Sequence, residues 1–357
     1  MPLPPLQFEP ILKPRAWGGN GLHTLGKQVD PKASPPIGES WELSDLGPPV
    51  PDGVSRVRGG PFTGTTLDDL MRHHRKALLG RAEPSREGRF PLLVKYLDAR
   101  ENLSVQVHPT PAFAKCNPSA HVKTEAWIVL HAQPGAVVYR GVHPGVSAAE
   151  FERAIRAGAV TDVLVRKPVR RGDCLPLRSG VCHALGAGVV AAEIETPSDT
   201  TFRLFDWNRN DPERPLHIEK AMQCLLLGHS QQLDHPPVTN LADSPALWSS
   251  GLRADSLCGT EHFEVEAIEA SPAGDAAPFA MVTNEVPVVG MLLHGEALME
   301  TERHQRAYLR AGDTVLFPAQ LVPTMISLSP EALFLRAMLP SPGVGTLDTR
   351  PLKERLA

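Results

Sequence analysis

From Phe90 to Val142 apolar and polar positions alternate through four runs, FPLLVKYLDA, LSVQVHP, EAWIVLHA and AVVYRGV. A period of two predicts strands with one buried face. The same texture returns in RRGDCLPLRSGVCHALGAGVVAAEIE and again beyond residue 250. Residues 65–80, TTLDDLMRHHRKALLG, change period. Thr66 is placed to cap a helix, Asp68 and Asp69 suit its first turn, and Leu67, Leu70, Met71, Leu78 and Leu79 form a stripe ending at Gly80. His73 and His74 fall on the polar side of that stripe and read as solvated. Two further short helices are predicted at Ser147–Ala157, which opens with a serine cap, and at His217–Leu226. The expected chain is mainly β, with a small helical insertion near 65–80.

A weak internal echo adds to this picture. Arg171-Gly172-Asp173-Cys174-Leu175-Pro176 resembles the run from Arg310 to Pro318 in its Gly-Asp turn, apolar strand and proline. Where the first copy goes on to His183, the second has no histidine. Repeats of this kind predict two similar β modules. We expect a catalytic module over 1–229, a linker rich in Pro, Asn, Asp and Ser over 230–250, and a C-terminal module over 251–357 that lacks metal ligands.

Composition narrows the function classes. The 357 residues include 36 basic and 40 acidic side chains, a net charge of -4, with no block of like charge. Nucleic acid and anionic membranes are therefore not expected partners. The five cysteines are scattered without a CxxC pair, which argues against a disulfide framework or a thiolate zinc site. The amino terminus lacks the pattern of a secretory leader, and no apolar stretch approaches the ~20 residues of a membrane span. A cytoplasmic, soluble protein is the expectation.

The candidate chemistry sits in three segments. On an extended strand Ser104, Gln106 and His108 share one face, as do Lys123 and Glu125. His183 follows the Gly-Asp turn amid Gly180, Gly186 and Gly188. Gln106, His108, Glu125 and His183 offer an amide oxygen, two imidazoles and a carboxylate, a set suited to a divalent metal of borderline softness, zinc first. Each residue alone has a plain structural reading: a polar strand edge, a surface ion pair, a turn histidine. Their order is the pattern by which small β-barrels of the cupin type hold one metal, so the fold expected is two cupin-type β-barrel (jelly-roll) modules.

The chain also resembles the class I mannose-6-phosphate isomerases. The resemblance is carried in order by Trp17-Gly18-Gly19, Ile37-Gly38-Glu39-Ser40-Trp41-Glu42, Phe90-Pro91-Leu92-Leu93-Val94-Lys95 and Leu103-Ser104-Val105-Gln106-Val107-His108-Pro109. Lys123-Thr124-Glu125-Ala126-Trp127, His183-Ala184-Leu185-Gly186 and Ser198-Asp199-Thr200-Thr201-Phe202-Arg203 continue it. It is strong over roughly residues 6–220 and faint beyond. It implies one Zn2+ per chain held by Gln106, His108, Glu125 and His183, and a sugar-phosphate substrate. It implies phosphate contacts from Lys95, Ser104 and Arg203, and places Lys123, Glu193 and again Arg203 near the reacting carbons. The implied reaction interconverts mannose 6-phosphate and fructose 6-phosphate through an enediolate. Glu193 is the candidate base, with His108 or a metal-bound hydroxide as alternatives. Val181-Cys182 departs from the family's usual Thr-Val before the metal histidine. Two rival readings use the same residues: an iron-dependent cupin oxygenase built on Glu125 and the two histidines, and a sugar-binding module without turnover.

Overall fold

The computed structural model describes residues 2–228, 238–243 and 248–340. Two antiparallel sheets enclose the first barrel. One runs, in hydrogen-bonded order, Thr239–Asn240, Asp173–Leu177, Glu125–Ala132, Val189–Glu195, Leu93–Ala99, Ile37–Leu43 and Ile11–Pro14. The other runs Phe202–Phe205, Val105–Val107, His183–Leu185, Val137–Val142 and Leu164–Pro168. Alternation decides what each face meets. Leu97, Trp127, Val129, Val138, Leu175 and Leu185 point inward and fill the barrel below its polar end. The outer face of the second sheet is covered by the helices Pro111–Cys116, Ala148–Arg156 and Ile218–Cys224, through Phe113, Phe151, Ile155 and Ala221.

The predicted helix near 65–80 forms as two pieces, Leu67–His73 and Arg75–Leu79, broken at His74. Thr66 accepts from the Asp69 N–H at 3.0 Å while the Asp69 carboxylate reaches back to the Thr66 N–H, a reciprocal cap. Ser147 and Glu150 form the same device at the next predicted helix. The helix at Pro111–Cys116 escaped the sequence reading, although Thr110 caps it and Pro111 occupies its first turn.

The C-terminal barrel repeats this topology. Its sheets run Leu6–Gln7, Thr314–Phe317, Val288–His294, Leu333–Met338, Glu264–Ala270, Leu252–Gly259, and Phe279–Ala280, Thr324–Leu328, Glu296–Thr301, Arg306–Arg310. Matching the two orders puts Thr314–Phe317 where the first barrel has Asp173–Leu177. The Gly-Asp echo therefore marks equivalent strands. The positions matching Glu125, Leu177 and Glu195 carry Val288, Phe317 and Met338, none of them a metal ligand of this type. The Lys95–Glu193 cross-strand pair has a counterpart of reversed polarity in Glu266–Arg336.

The barrels exchange edge strands. Leu6–Gln7, near the amino terminus, pairs with Val315 and Leu316 of the second barrel, whereas Thr239–Asn240 pairs with Asp173 and Cys174 of the first. Between the barrels lies one continuous apolar seam. Val94, Tyr96, Ile128, Cys174 and Ile194 meet Cys258, Val265, Ala267, Val289 and Leu335 across it. Of the linker expected at 230–250, residues 238–243 form the Thr239–Asn240 strand and a turn, while 230–237 and 244–247 lie outside the described residues.

Candidate metal and sugar-phosphate site

Strand register gathers the polar end of the first barrel. His183 lies opposite Gln106, and Gln106 opposite Arg203, so all three project from one sheet into the interior. In the facing sheet Glu125, Glu195, Glu193 and Lys95 come together by the pairings Glu195–Glu125 and Glu193–Lys95.

The two histidines have their tautomers fixed from outside. His183 Nδ1 lies 2.8 Å from the Val181 carbonyl and His108 Nδ1 lies 3.2 Å from that of Thr200. A carbonyl only accepts, so Nδ1 of each ring carries the proton and Nε2 presents a lone pair. Those lone pairs face a carboxylate: His183 Nε2 is 3.1 Å from Glu125 Oε1 and His108 Nε2 is 3.3 Å from Glu125 Oε2. His108 Nε2 and both Glu125 oxygens have no hydrogen-bond partner, and all three side chains are fully buried. Acceptor facing acceptor in the dark is repulsive unless a cation stands between them. Burial, with the Lys123 charge behind it, pushes the His108 imidazole down to about 3, which keeps it neutral and able to bind a metal. Burial alone would raise Glu125, but the Lys123 charge beside it holds it well below the usual carboxylate range. The residues present therefore fit a divalent ion.

Gln106 stands at the edge of this group, with its amide Nε2 3.3 Å from His183 Nε2. In this rotamer it presents nitrogen; a half-turn of the amide would present oxygen at the same point. Ser104 is buried beside it, its hydroxyl 3.5 Å from Gln106 Oε1.

A ladder of buried ion pairs flanks the ligand set. Lys123 Nζ lies 3.1 Å from Glu125 Oε2 and 2.7 Å from Glu195 Oε2. Lys95 Nζ lies 2.6 Å from Glu195 Oε1 and 3.1 Å from Glu193 Oε2. The other Glu193 oxygen accepts from Trp127 Nε1 at 2.8 Å. Burial opposes charge on Lys123, yet the carboxylates around it raise its pKa well above the ordinary lysine value, so it stays an ammonium. Burial first, then Glu193, raises Glu195 to about 8.

All nine residues singled out in the sequence thus reach one end of one barrel. The structure places Lys95 within the acid ladder rather than free at the rim. Arg203 is mostly enclosed, with 14% of its side chain exposed, and donates through Nη1 to the Pro215 carbonyl. Glu195 shares the face of Glu193, as alternation in VVAAEIE predicts. The grip of Arg15 on Glu39, at 2.8 and 3.1 Å, and the clamp of Arg209 and Arg214 on Asp206 were missed, because they depend on cross-strand and loop contacts that leave no local trace.

Similarity to known proteins decides its family. A family model described as phosphomannose isomerase type I, catalytic domain, matches residues 6–133. The mannose-6-phosphate isomerase of Streptococcus mutans is 33% identical over 323 residues, covering 88% of this chain and 92% of that protein. The chain belongs to the type I phosphomannose isomerase family. Within that family, mannose-6-phosphate isomerase ManA of Bacillus subtilis is 37% identical over 225 residues, 62% of this chain and 68% of its own. The crystal structure of a mannose 6-phosphate isomerase from Bacillus subtilis superposes with a TM-score of 0.78 at 27% identity, covering 94% of this chain and 100% of that one. The likeness spans both barrels, so the two-module β architecture is that of the family. Among the described residues no helix is long and apolar enough to cross a membrane.

Proposed function

We propose that this chain is a zinc-dependent aldose–ketose isomerase that interconverts mannose 6-phosphate and fructose 6-phosphate. The observation that carries the reading is the pair of imidazole lone pairs turned onto the Glu125 carboxylate, at 3.1 and 3.3 Å, with Lys123 beside it. His108, Glu125 and His183 would hold the ion, with Gln106 completing the set through its amide oxygen. When bound, the ion supplies Lewis acidity to the substrate's oxygens, where negative charge develops as the enediolate forms.

The chain's own residues supply the rest. Isomerisation moves a proton between adjacent carbons and needs a base within hydrogen-bond reach. Glu193 is the base in this reading, its carboxylate oriented by Trp127 Nε1 and Lys95 Nζ. Lys123, fixed as an ammonium by Glu125 and Glu195, stabilises negative charge on the enediolate and does not act as a base. Arg203 and Ser104 on one sheet, with Lys95 on the sheet that carries Glu193, hold the phosphate and so fix the sugar's register over Glu193. An oxygen-activating iron centre could use the same three ligands. Family membership and the flanking lysines favour the isomerase.

The test is hydrogen exchange during turnover. In deuterated water the metal-loaded protein is expected to place deuterium at C1 of the fructose 6-phosphate it forms and at C2 of the mannose 6-phosphate it returns, and Glu193→Gln is expected to suppress both. Oxygen uptake with iron in the native protein, and no exchange, would overturn the reading.

A further inference from the structure

The segment from Asp206 to His217 folds back over the strand that carries Arg203. Trp207, Asn208 and Asn210 adopt positive φ to make the reversal. The loop is tied down at both ends. The His217 N–H donates to the Arg203 carbonyl at 2.7 Å, and the Arg203 N–H donates to His217 Nδ1 at 3.3 Å. Trp207 Nε1 donates to the Leu103 carbonyl at 2.6 Å, and Arg209 Nη2 to that of Asn102 at 2.6 Å, just before Ser104.

Asp206 lies at the centre, buried, and its two oxygens are fully claimed. Arg214 grips it as a fork, Nε to Oδ2 at 2.9 Å and Nη2 to Oδ1 at 2.9 Å, and Arg209 Nη1 adds a bond to Oδ1 at 3.0 Å. Arg203 Nε stands 4.0 Å from the same Oδ1 and has no hydrogen-bond partner. Three guanidiniums therefore surround one carboxylate, and the one on the barrel wall is left without it. An unengaged, enclosed guanidinium N–H is costly to maintain and has one evident use, an anion from outside.

We propose that Arg214, assisted by Arg209, is a positioning residue that occupies Asp206 so that this carboxylate cannot capture Arg203, leaving Arg203 Nε–H free for the sugar phosphate. The assignment rests on the isomerase reading given above. The surroundings agree with it. Burial first, and then the like charge of Arg214, lower the proton affinity of Arg203, while Asp206 and Asp211 offset this only in part and Arg15 adds a further positive charge. Arg203 is thus under-neutralised by the protein's own carboxylates. Without Arg214, the nearest carboxylate would close the 4.0 Å gap and draw Arg203 off the substrate.

The experiment compares Arg214→Ala, Arg214→Lys, Asp206→Asn and the double variant Asp206→Asn/Arg214→Ala with the wild type, all metal-loaded, on mannose 6-phosphate. Arg214→Ala is expected to lower kcat/KM by about 100-fold, the scale of a misplaced contact group, with most of the loss in KM. Inhibition by inorganic phosphate should weaken in parallel. Adding Asp206→Asn removes the competing carboxylate and is expected to recover about tenfold of that loss, a coupling two independent structural defects would not show. Thermal unfolding follows whether each variant is folded, and Arg214→Lys with its Asp206→Asn partner carries the same comparison if the alanine variant does not fold. An Arg214→Ala enzyme with unchanged KM, or a double variant no better than the single, overturns the assignment while leaving the isomerase intact. No turnover by the wild type overturns the functional reading itself.

Discussion

Glu39 shows how much a single buried carboxylate can carry in this barrel. Burial alone would raise its pKa, but Arg15, then Lys95, and the Trp41 N–H bring it down to about 2. A carboxyl whose folded pKa is depressed stabilises the fold above its unfolded value, and that contribution disappears as pH falls through the folded one. The shift from 4.5 corresponds to roughly 3 kcal/mol. Glu39→Gln is therefore expected to lose about that much stability at pH 7, with the gap to wild type narrowing as pH falls from about 4.5 towards 2. Denaturant unfolding of the two proteins across that range checks it; a gap independent of pH would contradict the assignment. At this scale part of the candidate ligand set was legible, because alternation puts Ser104, Gln106 and His108 on one face. The partners were not. That Lys95 meets Glu193 and Glu195, or that Glu125 faces both imidazoles, depends on strand register between segments far apart in sequence.

Helix signals were read correctly where the cap chemistry is local, as at Thr66 and Ser147. The break at His74 follows no proline or glycine and had no such signal. Thr66→Ala removes one side of the reciprocal cap on a helix that supplies none of the candidate site residues. It is expected to cost about 1 kcal/mol of stability with kcat/KM unchanged, by thermal unfolding and steady-state assay. Strand existence was also legible, from period-two runs. The equivalence of the Asp173–Leu177 and Thr314–Phe317 strands needed the sheet order, because beyond the Gly-Asp turn their side chains differ and the prolines fall out of register, Pro176 matching Leu316.

For the whole molecule, the apolar seam and the exchanged edge strands bind the two barrels into one folding unit in our reading. Truncation after residue 228 would bare Val94, Tyr96, Ile128 and Ile194 and remove the Thr239–Asn240 edge. Such a fragment is expected to aggregate, judged by its elution in size-exclusion chromatography; a soluble, monomeric fragment that binds metal would show the first barrel to be independent. The reversed ion pair Glu266–Arg336 and the apolar Val288, Phe317 and Met338 assign the second barrel to support, so one active centre per chain is the proposal. The measurement that tests this most directly is formation of fructose 6-phosphate from mannose 6-phosphate by wild type and Glu125→Gln, alongside the metal bound per chain. The account predicts turnover with one zinc ion in the wild type, its loss to chelator and return on adding zinc, and neither activity nor stoichiometric metal in Glu125→Gln. Full activity in metal-free protein, or in Glu125→Gln, would contradict it.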